Sequence, residues 1–208
     1  SDKPLLEFDG KILKEMIRKT FFSVSPDETR QALNGLLLES EGDSANLVGT
    51  DGHRLAMISR PVKSNVSKGE SLSFLLPKKA LSELLKLMED EDETFGFSSQ
   101  DNHLAFICGK QVIVSRKIDG KFPNYRQVIP ADNNLKAKAN RDDLTHALKR
   151  VALLADEKSK MVRFEIRKGN LTLASDNTDL GAAVEEMALE YEGEEVLIGL
   201  NAKYVLDI

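Results

Sequence analysis

The order of helix and strand signals at the start of this chain returns about 125 to 131 residues later. Asp9 and Asn140, both favourable capping residues for a helix N-terminus, each precede apolar residues at helical spacing. Further on, Thr50-Asp51 has a counterpart in Ser175-Asp176. A repeat of this length indicates tandem domains, because the units of solenoid proteins span only about 20–50 residues. We therefore predict two α+β domains, 1–130 and 131–208.

Apolar periodicity predicts three helices joined by short strands. The predicted helices are 10–21, 78–88 and 141–154, and the predicted strands are 4–8, 33–39, 46–48, 56–59, 74–76, 94–98, 103–108, 111–117 and 135–139. Pro77 suits the first turn of its helix. In the repeat Pro77 matches Asn201, so the second copy reaches Ile208 only a few residues into its second helix. We expect this second domain to be incomplete.

Composition excludes several classes of protein. Of the 208 residues 41% are hydrophobic and 30% are charged, which is typical of folded globular domains. No apolar run approaches the roughly 20 residues that span a bilayer, and no leader pattern is present, so we expect a cytoplasmic protein without membrane contact. A single cysteine, Cys108, excludes a disulfide framework and a thiolate zinc site. Its apolar neighbours predict a buried structural thiol.

The stretch Gly49–Ala56 allows more than one interpretation. Asp51-Gly52 between apolar runs is a strong turn signal, so a plain hairpin with solvated His53 and Arg54 is one alternative. Asp51 and His53 could also belong to a metal site or a nucleophile-activating pair, as in a metal-dependent hydrolase. His103 and His146 have no ligand-like spacing around them. We therefore expect no catalytic residue, no metal and no cofactor.

The two copies of the repeat share the turn but differ in the residues that follow it. Aligned at Ser175-Asp176, the second copy has Thr178-Asp179 in place of His53-Arg54. The turn would then be needed by the fold in both copies, whereas the His-Arg pair would not. This asymmetry predicts a functional surface at His53, Arg54 and Leu55.

Positive charge gathers on the predicted helices, although the net charge of the chain is −5. The basic residues on these helices include Lys11, Lys14, Arg18, Lys78, Lys79, Lys149 and Arg150. Acidic residues concentrate in loops and strand edges, at 39–43, 89–93 and 190–195. Equivalent basic helices could face one anionic partner through sequence-independent, salt-sensitive phosphate contacts, or they could simply be solvated faces.

Four collinear segments carry a family resemblance. They are Leu33-Asn34-Gly35, the Gly49–Ala56 stretch, the run from Asp119 to Tyr125 (Asp-Gly-Lys-Phe-Pro-Asn-Tyr), and Asn201 with Tyr204-Val205-Leu206-Asp207. Together they closely resemble the bacterial sliding clamp family, the beta subunit of DNA polymerase III. The resemblance covers the middle clamp domain (1–130) and the start of the C-terminal clamp domain (131–208).

This resemblance implies a non-enzymatic protein. In the family, each domain places two helices on antiparallel sheets, and two three-domain subunits form a ring around duplex DNA with the basic helices inside. The implied partners are duplex DNA, the replicative polymerase catalytic subunit, the clamp loader and other clamp-motif proteins. The full-length family member is a homodimer, whereas we expect the present chain to be monomeric. The rival interpretations are a scaffold repeat protein and the hydrolase.

The resemblance also implies a pocket for short linear peptides between the middle and C-terminal domains. Carried over by position, its residues are Leu33, Thr50, Gly52, His53, Arg54, Leu55, Pro123 and Val128, with Asn201 and Tyr204 from the following domain. The four apolar residues of the first domain would receive a leucine or phenylalanine anchor, and polar groups at the rim would orient the peptide.

Overall fold

The computed structural model describes residues 3–67, 69–88 and 93–208. It divides into two compact units, Ser1–Val128 and Ile129–Ile208. Both combine helices with antiparallel sheets, so the predicted α+β class with tandem domains is confirmed. Of the acidic run predicted at 89–93, residues 89–92 lie outside the described residues. None of the described helices is long and apolar enough to cross a membrane.

The described residues of the first unit form two α-helices, α1 (Gly10–Phe21) and α2 (Lys78–Leu87), and two antiparallel sheets. Its strands are β1 (Leu6–Asp9), β2 (Gly35–Glu41), β3 (Ser44–Thr50), β4 (Leu55–Pro61), β5 (Lys63–Ser64), β6 (Ser71–Pro77), β7 (Thr94–Gln100), β8 (His103–Cys108) and β9 (Gln111–Arg116). One sheet has the order β5-β1-β7-β8-β9 and the other β4-β3-β2-β6. A short 3₁₀ helix, Gln31–Leu33, precedes β2, and a second, Tyr125–Gln127, follows β9.

Helix α1 begins where the sequence predicts, because Asp9 accepts a hydrogen bond from the Ile12 amide at 3.1 Å. Leu13, Met16 and Ile17 recur at helical spacing and are buried in the core between the sheets. Pro77 is the residue that precedes α2 rather than a residue of its first turn. Its extended conformation ends β6 and leads directly into the helix.

The second unit repeats the first half of this plan. It contains α3 (Arg141–Val151), a 3₁₀ helix (Ala152–Leu154) and α4 (Ala202–Leu206). The strands β10 (Met161–Arg167), β11 (Asn170–Asn177), β12 (Gly181–Ala188) and β13 (Val196–Asn201) form one antiparallel sheet with the order β12-β11-β10-β13. Asn140 caps α3 by accepting from two backbone amides, and Leu148 and Val151 pack into the core.

Three predictions of local structure need correction. The stretch 135–139 is not a strand, since it forms only an isolated bridge between Lys138 and Glu190. The strand predicted from residue 33 begins at Gly35, because 31–33 form the 3₁₀ helix. The helix predicted over 141–154 ends its α-helical part at Val151. A short strand, β5, was not predicted, and it pairs with β1 through Leu6 and Glu7.

Candidate functional site

The loop between β3 and β4 is held by its own side chains. The strands pair as far as Thr50 and Leu55, and Gly52 adopts a φ of +91°, a conformation that favours glycine. Asp51 Oδ1 accepts from the backbone amides of His53 at 2.9 Å and Arg54 at 3.0 Å. Thr50 Oγ1 donates to the Arg54 carbonyl at 2.6 Å and accepts from the Gly52 amide at 3.1 Å. The predicted turn is therefore present, with a defined shape.

The carboxylate of Asp51 is committed to this loop. Its Oδ2 accepts from Arg54 Nε at 3.1 Å, in addition to the two amide bonds at Oδ1. Burial alone would raise the pKa of Asp51, but the hydrogen bonds from His53 and Arg54 outweigh it and lower the pKa below its ordinary value. A charged Asp51 that already accepts three bonds is poorly suited to act as a metal ligand or a general base.

Arg54 is not a solvated turn residue, which corrects that alternative. Its side chain is only 16% exposed, and Nη2 donates to the carbonyl of Phe22 at 2.6 Å. The guanidinium also lies over the Phe22 ring, 5.3 Å from its centroid. Phe22 caps the C-terminus of α1. The side chain of Arg54 therefore joins the loop to the end of that helix.

A cavity of about 420 Å³ opens beside the loop. It is lined by Arg30, Leu33, Thr50, Gly52, His53, Arg54, Leu55, Pro123, Asn124, Tyr125 and Val128. All eight pocket residues predicted for the first unit are among them. Leu33 is buried and Leu55 half-buried, whereas His53, Pro123 and Val128 are exposed at the edge. The cavity thus has an apolar floor and a partly polar rim.

Three lining residues were not predicted: Arg30, Asn124 and Tyr125. Arg30 comes from the segment before the first 3₁₀ helix, and its Nη1 donates to the Asp51 carbonyl at 2.8 Å. This bond brings a cation to the face of Gly52. A Cβ on Gly52 would lie 3.0 Å from Arg30 Nη2, so the glycine leaves room for the arginine. No sequence motif links Arg30 to Asp51, which lie 21 residues apart.

The segment that carries Pro123, Asn124 and Tyr125 is fixed to β2 by a polar cluster. Tyr125 donates from its hydroxyl to Glu39 Oε2 at 2.7 Å, and Arg126 Nη2 donates to the same oxygen at 2.7 Å. The Arg126 guanidinium lies 4.8 Å from the Tyr125 ring centroid. Burial and the bond to Glu39 raise the pKa of Tyr125 to about 12, so its hydroxyl remains a donor at neutral pH.

Asn201 and Tyr204, the other two predicted pocket residues, belong to the second unit. Asn201 caps α4, since its Oδ1 accepts from the Lys203 amide at 2.9 Å, and its Nδ2 donates to the Ser159 carbonyl at 2.9 Å. Tyr204 is half-buried on α4. Their assignment to the same pocket remains a prediction.

The structure shifts the repeat by one residue at the turn. Ser175 and Asp176 both lie within β11, Asn177 is the last residue of that strand, and the turn comprises residues 178–180. Asn177 Oδ1 accepts from the amides of Asp179 and Leu180, as Asp51 Oδ1 accepts from those of His53 and Arg54. The residues that take the places of His53 and Arg54 are therefore Asp179 and Leu180. The corrected register still lacks the His-Arg pair.

The predicted basic residues lie on the helices as expected, but they are not equally exposed. Lys11, Arg18, Lys79, Lys149 and Arg150 are exposed, and Lys14 and Lys78 are half-buried. Arg150 is paired with Glu185 on β12 through two bonds, at 2.5 and 2.6 Å, and its positive charge is therefore largely balanced. This ion pair makes Arg150 poorly suited to an external anion.

The proposed metal site has no suitable set of ligands among the described residues. Within the described ranges, no group of three His, Cys, Asp or Glu residues is placed to hold a metal ion. Together with the committed carboxylate of Asp51, this leaves the hydrolase interpretation without a site in the part of the chain that the structure describes.

Comparisons with known proteins agree with this fold of two units. Residues 7–124 match the family described as the central domain of the DNA polymerase III beta subunit, and residues 126–208 match its C-terminal domain. The beta sliding clamp of Chlamydia pneumoniae is 37% identical over 196 residues, which cover 94% of this chain and 53% of that protein. The beta sliding clamp of Escherichia coli K12 is 34% identical, with the same coverage.

Solved structures show the same relationship. The DNA polymerase III subunit beta of Pseudomonas aeruginosa superposes with a TM-score of 0.92 at 31% identity, covering 100% of this chain and 57% of that one. A sliding clamp from Bartonella birtlesii bound to griselimycin gives a TM-score of 0.90 at 33% identity, covering 97% of this chain and 55% of that one.

The fold and the cavity thus define a tandem α+β protein of the clamp type. The chain belongs to the DNA polymerase III beta subunit family. It spans about half the length of the curated relatives it matches.

Proposed function

We propose that this chain is the peptide-docking part of a processivity clamp of bacterial DNA replication, which encircles duplex DNA as a ring when complete. The proposed peptides are short linear segments of polymerases, the clamp loader and repair proteins. The observation that carries the proposal is the cavity beside the β3–β4 loop, which is lined by all eight residues expected from the first unit, drawn from three distant stretches of sequence. The proposed role is tethering, without chemistry.

The cavity has the properties that a peptide anchor requires. Its volume of about 420 Å³ lies in the range of pockets that enclose small ligands. Leu33, Leu55, Pro123 and Val128 offer apolar contacts to one or two anchor side chains, since burial of a leucine or phenylalanine side chain contributes about 1.5–3 kcal/mol. His53 and Arg30 at the rim offer polar contacts to the peptide backbone or side chains.

The proposed DNA contact rests on the basic helix residues, of which Lys11, Arg18, Lys79, Lys149 and the ion-paired Arg150 are exposed. Contacts from such residues to phosphates would be independent of base sequence and sensitive to salt.

We further propose that the complete protein is a homodimeric ring, that the chain alone is monomeric, and that it works in the cytoplasm. The free, buried thiol of Cys108 suits a reducing compartment.

The test is a titration of the chain with a fluorescent peptide of the Gln-x-x-Leu-Phe type. We expect a dissociation constant in the micromolar range, about −8 kcal/mol. Leu55→Asp or Pro123→Asp should abolish binding, because each places a charge where the apolar anchor would sit. Circular dichroism and thermal melting would establish that each variant is folded. A folded wild-type chain that ignores the peptide would remove the support for the proposal.

A further inference from the structure

Two nitrogens of the Arg54 guanidinium contact different elements. Nε bonds to Asp51 within the β3–β4 loop, and Nη2 bonds to the Phe22 carbonyl at the end of α1. The guanidinium packs over the Phe22 ring and is largely buried. Because these bonds engage the guanidinium within the protein, few of its N–H donors remain available to a ligand. Arg54 nevertheless belongs to the lining of the cavity.

The end of α1 is packed tightly against β3 at the same place. Ser23 Oγ donates to the Thr20 carbonyl at 2.6 Å, and both residues are buried. A Cβ added to Gly49 of β3 would collide with Ser23 Oγ and would lie 2.9 Å from the Thr20 carbonyl oxygen. The strand that leads into the loop therefore touches the last turn of the helix directly.

We propose that Arg54 is a positioning residue that couples the β3–β4 loop to the C-terminal end of α1, so that occupation of the cavity and the state of this helix end depend on each other. The inference rests on the proposed function, because it treats the cavity as the peptide site. Coupling of this kind is reciprocal: whatever stabilises the helix end also favours the occupied loop. Arg18, one of the exposed cations, lies in the last turn of α1.

The coupling predicts an effect at backbone amides that do not line the cavity. The amides of Ser23 and Val24 bond to the carbonyls of Thr20 and Phe21 at the end of α1. Hydrogen exchange of these two amides is measured with and without saturating Gln-x-x-Leu-Phe peptide. Exchange should slow by about fivefold or more in the wild-type chain, the lower end of typical coupling between sites. Amides 85–87, in the last turn of α2, are the control for general stabilisation and should change little.

The matched variant is Arg54→Lys, which keeps the positive charge but is too compact a donor to bond Asp51 and Phe22 together. With enough peptide to saturate it, this variant should show less than about a twofold change at Ser23 and Val24, since the link is broken. Equal slowing in Arg54→Lys and wild type would overturn the role of Arg54. A saturated wild type without slowing would overturn the coupling itself.

Two further comparisons separate failure of this inference from failure of the proposed function. If the wild-type chain does not bind the peptide, the proposed function fails, and the ligand-free proteins decide the positioning role. Arg54→Lys should then speed exchange at Ser23 and Val24 by about fivefold, whereas unchanged exchange would overturn it. If Arg54→Lys does not fold, Phe22→Leu takes its place, because it removes the ring beneath the guanidinium and leaves the carbonyl. It should weaken the coupling in the same direction, and full wild-type coupling would count against the proposal.

Discussion

Asp51 is the residue on which the shape of the β3–β4 loop depends most directly. Its two carboxylate oxygens accept three hydrogen bonds, all from the loop that follows it. Bonds to a charged acceptor are roughly twice as strong as neutral ones. Since the pKa of Asp51 is lowered in the folded protein, the charged form is the one that stabilises the fold.

Asp51→Asn should destabilise the protein by about 1–3 kcal/mol at pH 7, because the amide loses the charge and places an NH₂ group against Arg54. The folded-state pKa lies below the ordinary value of 3.8, so the contribution of the carboxylate is complete above that value and is lost as the pH falls below it. Urea unfolding of both proteins near pH 7 and near pH 3 measures the difference. A gap in unfolding free energy that stays constant on acidification would contradict this role.

At the scale of single residues, the sequence predicts which positions form the turn and the core better than it predicts the orientation of individual side chains. The Asp-Gly turn signal and the buried thiol of Cys108 are confirmed, and burial and a bond to Glu93 raise the pKa of that thiol to about 11. The inward course of Arg54 could not be predicted, because it depends on the carbonyl of Phe22, 32 positions away. Arg30 was missed for the same reason, since its place at the cavity follows from a long-range bond to Asp51.

At the scale of elements, β3 packs against the end of α1 and β11 packs against the end of α3. The side chains at these two equivalent contacts differ. In the first unit Gly49 leaves room for the hydroxyl of Ser23, which donates to the carbonyl of Thr20. In the second unit Ser175 of β11 supplies the hydroxyl itself and donates to the Val151 carbonyl at 2.6 Å. With the corrected repeat alignment, Ser175 is equivalent to Gly49. The two equivalent contacts with a helix end support that alignment.

Gly49→Ala should therefore destabilise the first unit by about 1–3 kcal/mol through overpacking. The new Cβ would collide with Ser23 Oγ and would lie 2.7 Å from Leu36 Cδ2. Combining it with Ser23→Ala should recover part of the stability, because one of the colliding atoms is gone. Thermal melts of the wild type, both single variants and the double variant form the cycle. Strict additivity of the two single effects would contradict the proposed contact.

Predictions of elements succeeded where the local pattern was sufficient. Periodic apolar residues and a capping aspartate determine α1 almost completely. The strand predicted at 135–139 fails because a strand needs a partner. In the first unit β1 pairs with β7, which follows α2 in the chain. In the second unit, 135–139 makes only the isolated bridge between Lys138 and Glu190.

At the scale of the whole molecule, the proposed function rests on two surfaces: a cavity for peptides and basic helices for DNA. The helix surface is tested in the native protein by reversing the charges of Lys14 and Arg18 to glutamate. Non-specific duplex binding should weaken, and the slope of log affinity against log salt should fall by about 1 for each phosphate that the variant no longer neutralises.

The control for the DNA test makes the same change in charge elsewhere. Lys110→Glu with Lys121→Glu reverses two exposed lysines that lie on loops outside the helices. This double variant should leave the salt slope close to that of the wild type. Equal effects of both double variants would show that net charge, rather than the face of α1, governs binding.

The most direct test of the central claim is peptide binding to a matched pair of valine variants. Val128 and Val114 are 68% and 62% exposed in the same unit, but only Val128 lines the cavity. Fluorescence anisotropy with the Gln-x-x-Leu-Phe peptide should give micromolar binding to the wild type and to Val114→Asp. Val128→Asp should bind about tenfold more weakly or worse, a loss of about 1.4 kcal/mol. Equal binding by the two variants, or none by the folded wild type, would contradict the account.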